Sequence, residues 1–201
     1  KDLTFDNIYH EHYNYWSLTS LLNFFVNFDV KIFKAEKIKT HGGSLRIFIS
    51  KNKKIKIHKS IDKILTEEEK FGIKKLKTYK KFSKKINKIK ENVINNFAQL
   101  KKQNSTIVGY GAPAKATTLM YHFRIGEDII DFIVDDSPLK QGLYSPGMHI
   151  PVVSSKVMYE KKPDYVVILA WNFAVPIMEK HRAFAESGGQ FIVPLPTLEI
   201  Y

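Results

Sequence analysis

A chain of 201 residues with 44% hydrophobic content has enough apolar material for one large domain or two small ones. The absence of cysteine excludes a disulfide framework and a thiolate metal site, and no apolar run approaches the length of a membrane span. The net charge of +12 invites a nucleic-acid reading, but arginine stands only at positions 46, 124 and 182, and the lysines crowd into one helical stretch. With no secretory leader read at the N-terminus, the expectation is a cytoplasmic protein with neither nucleic acid nor membrane as partner.

Along the chain, chemistry first concentrates at Ile8-Tyr9-His10-Glu11-His12-Tyr13, where two imidazoles, a carboxylate and two phenols fall within six residues. In a strand, alternation puts Tyr9, Glu11 and Tyr13 on one face and the histidines on the other; in a helix, His12 sits nearly one turn after Tyr9. Either geometry can build an acid/base site, because an imidazole needs an orienting partner and a carboxylate or phenol stands beside it. The competing readings are a surface strand with no chemical role and a metal site. His-x-His supplies only two ligands and the chain has no cysteine to add, so no metal is assigned.

After the tract the pattern predicts a helix over 17–28 and strands over 30–38 and 44–50, divided by a turn at Gly42-Gly43. Residues 1–52 therefore read as a small α+β region. Residues 53–104 read as a helical connector, with Thr66-Glu67-Glu68-Glu69 as an acidic helix start and Gly72 as an interruption. In it Ile86, Ile89, Val93 and Phe97 recur at helical spacing, so that Lys80, Lys84 and Lys88 with their neighbours fill a solvated face. From residue 105 strands alternate with helices: strands over 105–109, 129–134, 165–170 and 191–194, helices over 115–123 and 175–187. That order predicts an α/β fold, a Rossmann-like parallel-sheet lobe over 105–201.

Within the lobe, Ile107-Val108-Gly109-Tyr110-Gly111-Ala112-Pro113-Ala114-Lys115 is a strand, a Gly-rich turn and a helix start. Such a turn can bring backbone N–H groups and a helix N-terminus to a pyrophosphate, with Lys115, Thr117 and Thr118 placed to add charge and hydrogen bonds. It equally describes a tight turn with no ligand. Ala114 stands where the dinucleotide fingerprint carries its third glycine, which argues against free NAD. Asp135 follows the next strand, where such units often place an acid on a ribose hydroxyl; with Ser137, Lys140 and Gln141 it forms a candidate nucleoside wall, or a plain solvated turn. Asn172, at the carboxyl end of a later strand, is expected to face the ligand, whereas Trp171 reads as either core or site.

Taken in order, Tyr9-His10-Glu11-His12, Thr40-His41-Gly42-Gly43-Ser44, Tyr110-Gly111-Ala112-Pro113-Ala114-Lys115, Asp135-Asp136-Ser137-Pro138 and Ala170-Trp171-Asn172-Phe173 closely resemble the C-terminal portion of the S-adenosylmethionine-dependent C-methyltransferases of nucleotide-activated deoxysugars. The resemblance covers about residues 5–196. It implies methyl transfer to a carbon beside the ketone of a nucleotide-linked 4-ketohexose. It also implies that the C-terminal lobe helps hold the nucleoside-diphosphate sugar through Gly109, Gly111, Ala112, Pro113, Lys115, Thr117, Asp135, Ser137, Lys140 and Asn172. His12 matches the family's general base, with Tyr9 and Glu11 as its neighbours. Ala116, where many relatives have glycine, and Tyr13, at a commonly apolar position, depart from the pattern.

A donor-binding methyltransferase lobe needs a Gly-rich loop and an acid ahead of the histidine tract, and relatives begin with a Cys-rich zinc module. Neither precedes residue 5, and residues 1–52 resemble only the last helix and strands of such a lobe. The expectation is a C-terminal fragment, or half of a split enzyme, inactive alone and served by an N-terminal methyltransferase lobe in cis or in trans. The alternative is a non-enzymatic Rossmann-type nucleotide-binding or partner-subunit module.

Overall fold

The structure, a computed structural model, describes residues 3–38, 40 and 43–201; Gly42 of the expected Gly42-Gly43 turn, and His41 before it, lie outside the described residues. The chain divides into two compact units, one formed by residues 12–83 and the other by residues 1–11 together with 84–201.

The smaller unit holds α1 (Leu18–Phe25), β1 (Lys31–Ile38), β2 (Ser44–Ser50) and α2 (Ser60–Phe71). β1 and β2 pair antiparallel, with a register irregularity between Ile32 and Lys34, and Leu18, Ile32, Ala35, Ile61 and Ile64 form the core. α1 starts at a capping box in which the Ser17 and Ser20 hydroxyls each serve the other's backbone N–H. Glu68 completes that start, accepting from the Leu18 N–H at 2.7 Å and from the Thr19 N–H at 2.9 Å. The acidic run 66–69 is thus not a helix start of its own. It lies inside α2 and its charge complements the N-terminus of a different helix. Gly72, at φ 79°, ends α2 in the left-handed conformation that a side chain resists.

α3 (Leu76–Lys102) runs on from the smaller unit into the larger. It buries Val93, Phe97 and Leu100 against the larger core and leaves Lys80, Lys84 and Lys88 in solvent, as its periodicity predicts, whereas Leu76 and Phe82 also stay exposed.

The larger unit contains β3 (Ile107–Tyr110), α4 (Ala116–Phe123), β4 (Ile133–Val134), β5 (Val152–Val153), α5 (Ser155–Lys161), β6 (Tyr165–Ile168), α6 (Ala174–Lys180), α7 (Arg182–Glu186), β7 (Gln190–Val193) and β8 (Glu199–Ile200). The sheet order is β5-β4-β3-β6-β7-β8, parallel except for β8. This is the mixed α/β, Rossmann-like arrangement that the alternating pattern predicts. β4 is shorter than expected because Ile129 and Ile130 close a turn on the Gly126 carbonyl. The helix expected over 175–187 is broken at His181, and β5, α5 and β8 are additions to the predicted series. After β3 the chain builds β4 and β5 on one side, then crosses to β6 on the other. The sheet therefore reverses its order at β3, and the carboxyl ends of β3 and β6 form the crevice where such sheets take ligands. No helix among the described residues is long and apolar enough to cross a membrane.

Candidate functional site

At the crevice the two glycines of the turn are required by packing. A Cβ on Gly109 would stand 3.0 Å from Leu169 Cδ1 and 3.2 Å from Ile133 Cγ1. Gly111 adopts φ 89°, and a Cβ there would lie 2.6 Å from that of Ala170. The turn therefore closes the base of the crevice between β3 and β6. Ala112 and Pro113 are half-buried on the turn, and Lys115 leads into α4, whose first turn carries the half-buried Thr117.

Lys115 is almost enclosed, with 13% of its side chain exposed. Its ammonium lies 3.3 Å from Asp6 Oδ2, 5.0 Å from the centre of the Trp171 ring, and donates a hydrogen bond to Asn172 Oδ1. Asp6 is fully buried and takes a second bond at the same oxygen from Trp171 Nε1 at 2.7 Å, while its Oδ1 accepts none. It sits in a short 3-10 turn, Phe5–Asn7. Two residues on, the Ile8 carbonyl accepts from Thr118 Oγ1 at 2.9 Å. The segment entering the histidine tract thus rests on the Gly-rich turn's own helix.

The tract itself is neither strand nor helix; His10 and Glu11 form a turn. The Tyr9 hydroxyl donates to Glu11 Oε2 at 3.2 Å, and His10 Nε2 lies 3.9 Å from Glu11 Oε1 with both side chains largely exposed. His12 is half-buried and belongs to the smaller unit, where its ring meets that of Tyr15 edge-on.

Beyond β4, Asp135 is buried and its carboxylate is committed. Oδ2 accepts from the Ala112 N–H at 2.7 Å and from Lys140 Nζ at 3.2 Å, and Oδ1 accepts from the Ser137 N–H at 2.9 Å. It braces the Gly-rich turn against the following loop. Asp136 is exposed and accepts from Lys180 at 2.7 Å and from the buried Tyr110 hydroxyl at 2.9 Å. Tyr110 also meets His181 Nε2 at 2.7 Å, and Tyr159 meets His181 Nδ1 at 2.9 Å.

A carboxylate only accepts, so the single Tyr110 proton goes to Asp136, His181 Nε2–H donates to the Tyr110 oxygen, and Nδ1 accepts from Tyr159. Burial, then the bond to Asp136, holds the Tyr110 phenol far above the usual range. Burial, then neighbouring Lys180, holds His181 below the ordinary imidazole value. For Asp136 burial is the largest influence and pushes upward, but the bonds from Lys180 and Tyr110 together outweigh it and the carboxyl ends lower.

Of the residues that the sequence singles out, the structure joins Lys115 to Asn172, and Asp135 to Ala112, Ser137 and Lys140. Tyr9 and Glu11 pair with each other. Sequence reasoning passes over Asp6, Tyr110, Asp136 and His181 as site residues. A partner 165 residues away leaves no local mark on Asp6.

The fold and this edge define a Rossmann-like α/β lobe. The chain belongs to the family described as the C-methyltransferase C-terminal domain, whose profile matches residues 39–196. It is similar to the C-methyltransferase NovU of Streptomyces niveus, with 33% identity over 197 residues that make up 98% of this chain and 47% of that protein. The chain thus spans about half the length of the curated relative it matches.

Proposed function

We propose that the chain is the acceptor-side part of a C-methyltransferase acting on a nucleoside-diphosphate-linked 4-ketohexose in deoxysugar biosynthesis. The observation that carries this reading is the seating of the segment that enters the Tyr9–His12 tract on the Gly-rich turn, in a chain of C-methyltransferase family. The nucleotide sugar lies along the carboxyl edge, where the exposed Asn172 and the half-buried Thr117, Ser137 and Lys140 meet it above the turn 109–113. Lys115 and Asp135, already engaged within the protein, hold that edge in shape.

His12 takes the proton from the carbon beside the ketone, and the bonding pair moves into an enolate whose oxygen the Tyr9 hydroxyl stabilises. Tyr9 has one proton to give, so it leaves Glu11 to do this, and Glu11 becomes available to orient an imidazole. The enolate carbon is then the nucleophile for methylation.

The residues present do not fit S-adenosylmethionine. The acid that follows this Gly-rich turn, Asp135, is buried and spends three of its acceptor positions on the Ala112 and Ser137 N–H groups and on Lys140, which leaves one position on Oδ1 where a ribose diol needs two. The methyl donor accordingly belongs to a methyltransferase lobe in polypeptide beyond these residues, in keeping with the 47% coverage of the relative. An exposed aromatic cluster on the smaller unit supports a partner lobe: the ring centres of Trp16 and Phe24 lie 5.2 Å apart and those of Phe24 and Phe28 5.1 Å, and all three are about half exposed.

Three measurements test the reading. The 201-residue chain should bind no S-adenosylmethionine at micromolar levels. In the full-length protein, deuterium should enter the substrate carbon beside the ketone, and His12→Ala should slow turnover by about 10² to 10⁴. Exchange that survives His12→Ala and disappears in His10→Ala reassigns the base, and binding of S-adenosylmethionine by the chain alone refutes the division of labour.

A further inference from the structure

We infer that Asp6 is a positioning residue for the reaction: with Lys115 and Trp171 it forms a latch that fixes where the Tyr9–His12 tract begins. The inference rests on the proposed role of that tract in proton transfer.

A carboxylate with no exposed surface is costly to bury unless charge and hydrogen bonds compensate it. Here both come from the crevice. Trp171 Nε1, from the carboxyl side of β6, donates at 2.7 Å, and Lys115, from the Gly-rich turn, approaches to 3.3 Å. One carboxylate oxygen therefore ties the N-terminal segment to both sides of the switch point at once. The neighbouring contacts act in the same sense. The Phe5 ring lies 4.6 Å from that of His122 and 5.8 Å from that of Phe123 on α4, and Thr118 of the same helix holds the Ile8 carbonyl at 2.9 Å. Residues on either side of Asp6 are thus pinned to α4, and Tyr9 follows directly. Lys115, which by sequence is placed to add charge at a diphosphate, is matched from within the protein by Asp6 and Asn172. Asp6 touches no reacting atom in this arrangement. It acts through the placement of Tyr9 and the residues after it, where a displacement of about 1 Å can cost about 10²-fold in rate.

The test compares Asp6→Asn, which keeps an acceptor for Trp171 but removes the charge, with Lys115→Met and with the double variant. In the 201-residue chain, hydrogen exchange at the amides of residues 7–11 should accelerate in both single variants while β3, β6 and β7 keep their protection. In the full-length protein, each should lower kcat by about 10²-fold with KM for the nucleotide sugar unchanged. The double variant should be no slower than either single one, because the two residues form one unit.

Unchanged exchange in Asp6→Asn overturns the latch. Faster exchange with unchanged kcat overturns the positioning role, and a raised KM with unchanged kcat makes Lys115 a substrate cation that Asp6 merely neutralises. Should Asp6→Asn fail to fold, Thr118→Val, which frees the Ile8 carbonyl alone, carries the same comparison. The exchange arm needs no turnover, so failure of the methylation reading leaves the latch measurable.

Discussion

At Gly111 the backbone takes φ 89° and a Cβ would stand 2.6 Å from that of Ala170, so two separate costs oppose any side chain. Gly111→Ala should lose about 1–3 kcal/mol from the backbone alone, seen as a lower urea midpoint. Ala170→Gly in the same chain should recover the steric part and leave the backbone part. Full stability in the single variant would mean that the turn relaxes freely. His181 gives a pH-dependent case. Burial and Lys180 keep it below the ordinary imidazole value, and burial and Lys90 do the same to His122. The unfolded chain takes up these protons near about pH 6.5 while the folded protein resists. Their contribution to stability is therefore whole above that pH and is lost as pH falls toward the lowered folded values. Urea midpoints should decline through this window, and His181→Gln should make the decline shallower; an identical slope would place His181's titration outside it. Residues legible in the sequence were those whose meaning is local, such as Gly109 near the end of β3 and Gly111 in the turn that follows it. Asp6, buried through donors 109 and 165 residues away, has no such local meaning, and Phe5-Asp6-Asn7 reads as an ordinary polar stretch.

Among the elements, α1 depends on a group that its own sequence does not contain. Its first N–H groups reach Glu68 of α2, 49 and 50 residues on, so the acidic run 66–69 signals a helix N-terminus correctly and the wrong helix. Glu68→Ala should cost about 1.5–3 kcal/mol, the range for hydrogen bonds to a charged group, whereas Glu68→Gln should lose less because it keeps one acceptor. Chemical denaturation followed by circular dichroism separates the two, and equal losses would assign the effect to charge alone. The two hairpin strands and α3 were legible because each repeats its pattern over at least seven residues. β5 and β8 have two residues each, too few for a period, and each exists as an addition to a strand already in the sheet, β5 beside β4 and β8 beside β7. The break at His181 had no proline or glycine to announce it. There the side chain is held between Tyr110 and Tyr159, a tertiary demand that outweighs helical continuity.

For the whole molecule, each compact unit has its own hydrophobic cluster: one around Leu18, Ile32 and Ile61, the other around β3, β6 and the face of α3 that carries Val93 and Phe97. A domain with a separate core can unfold as a separate cooperative step, and a single transition is the exception for such chains. The protein supplies its own reporters, since its two tryptophans fall one in each unit: Trp16, about half exposed, in the smaller, and Trp171, buried, in the larger. In Trp16→Phe the remaining fluorescence follows the larger unit alone, while far-ultraviolet circular dichroism follows both. The larger core contains most of the buried residues, so the smaller unit should unfold first, and the fluorescence midpoint in urea should lie above that of circular dichroism. Glu68→Ala should then move only the early transition and Gly111→Ala only the late one, as for sites in separate cores that share no partners. Coincident curves, with both variants shifting them together, would show that α3, which runs from one unit into the other, makes the two cores a single folding unit.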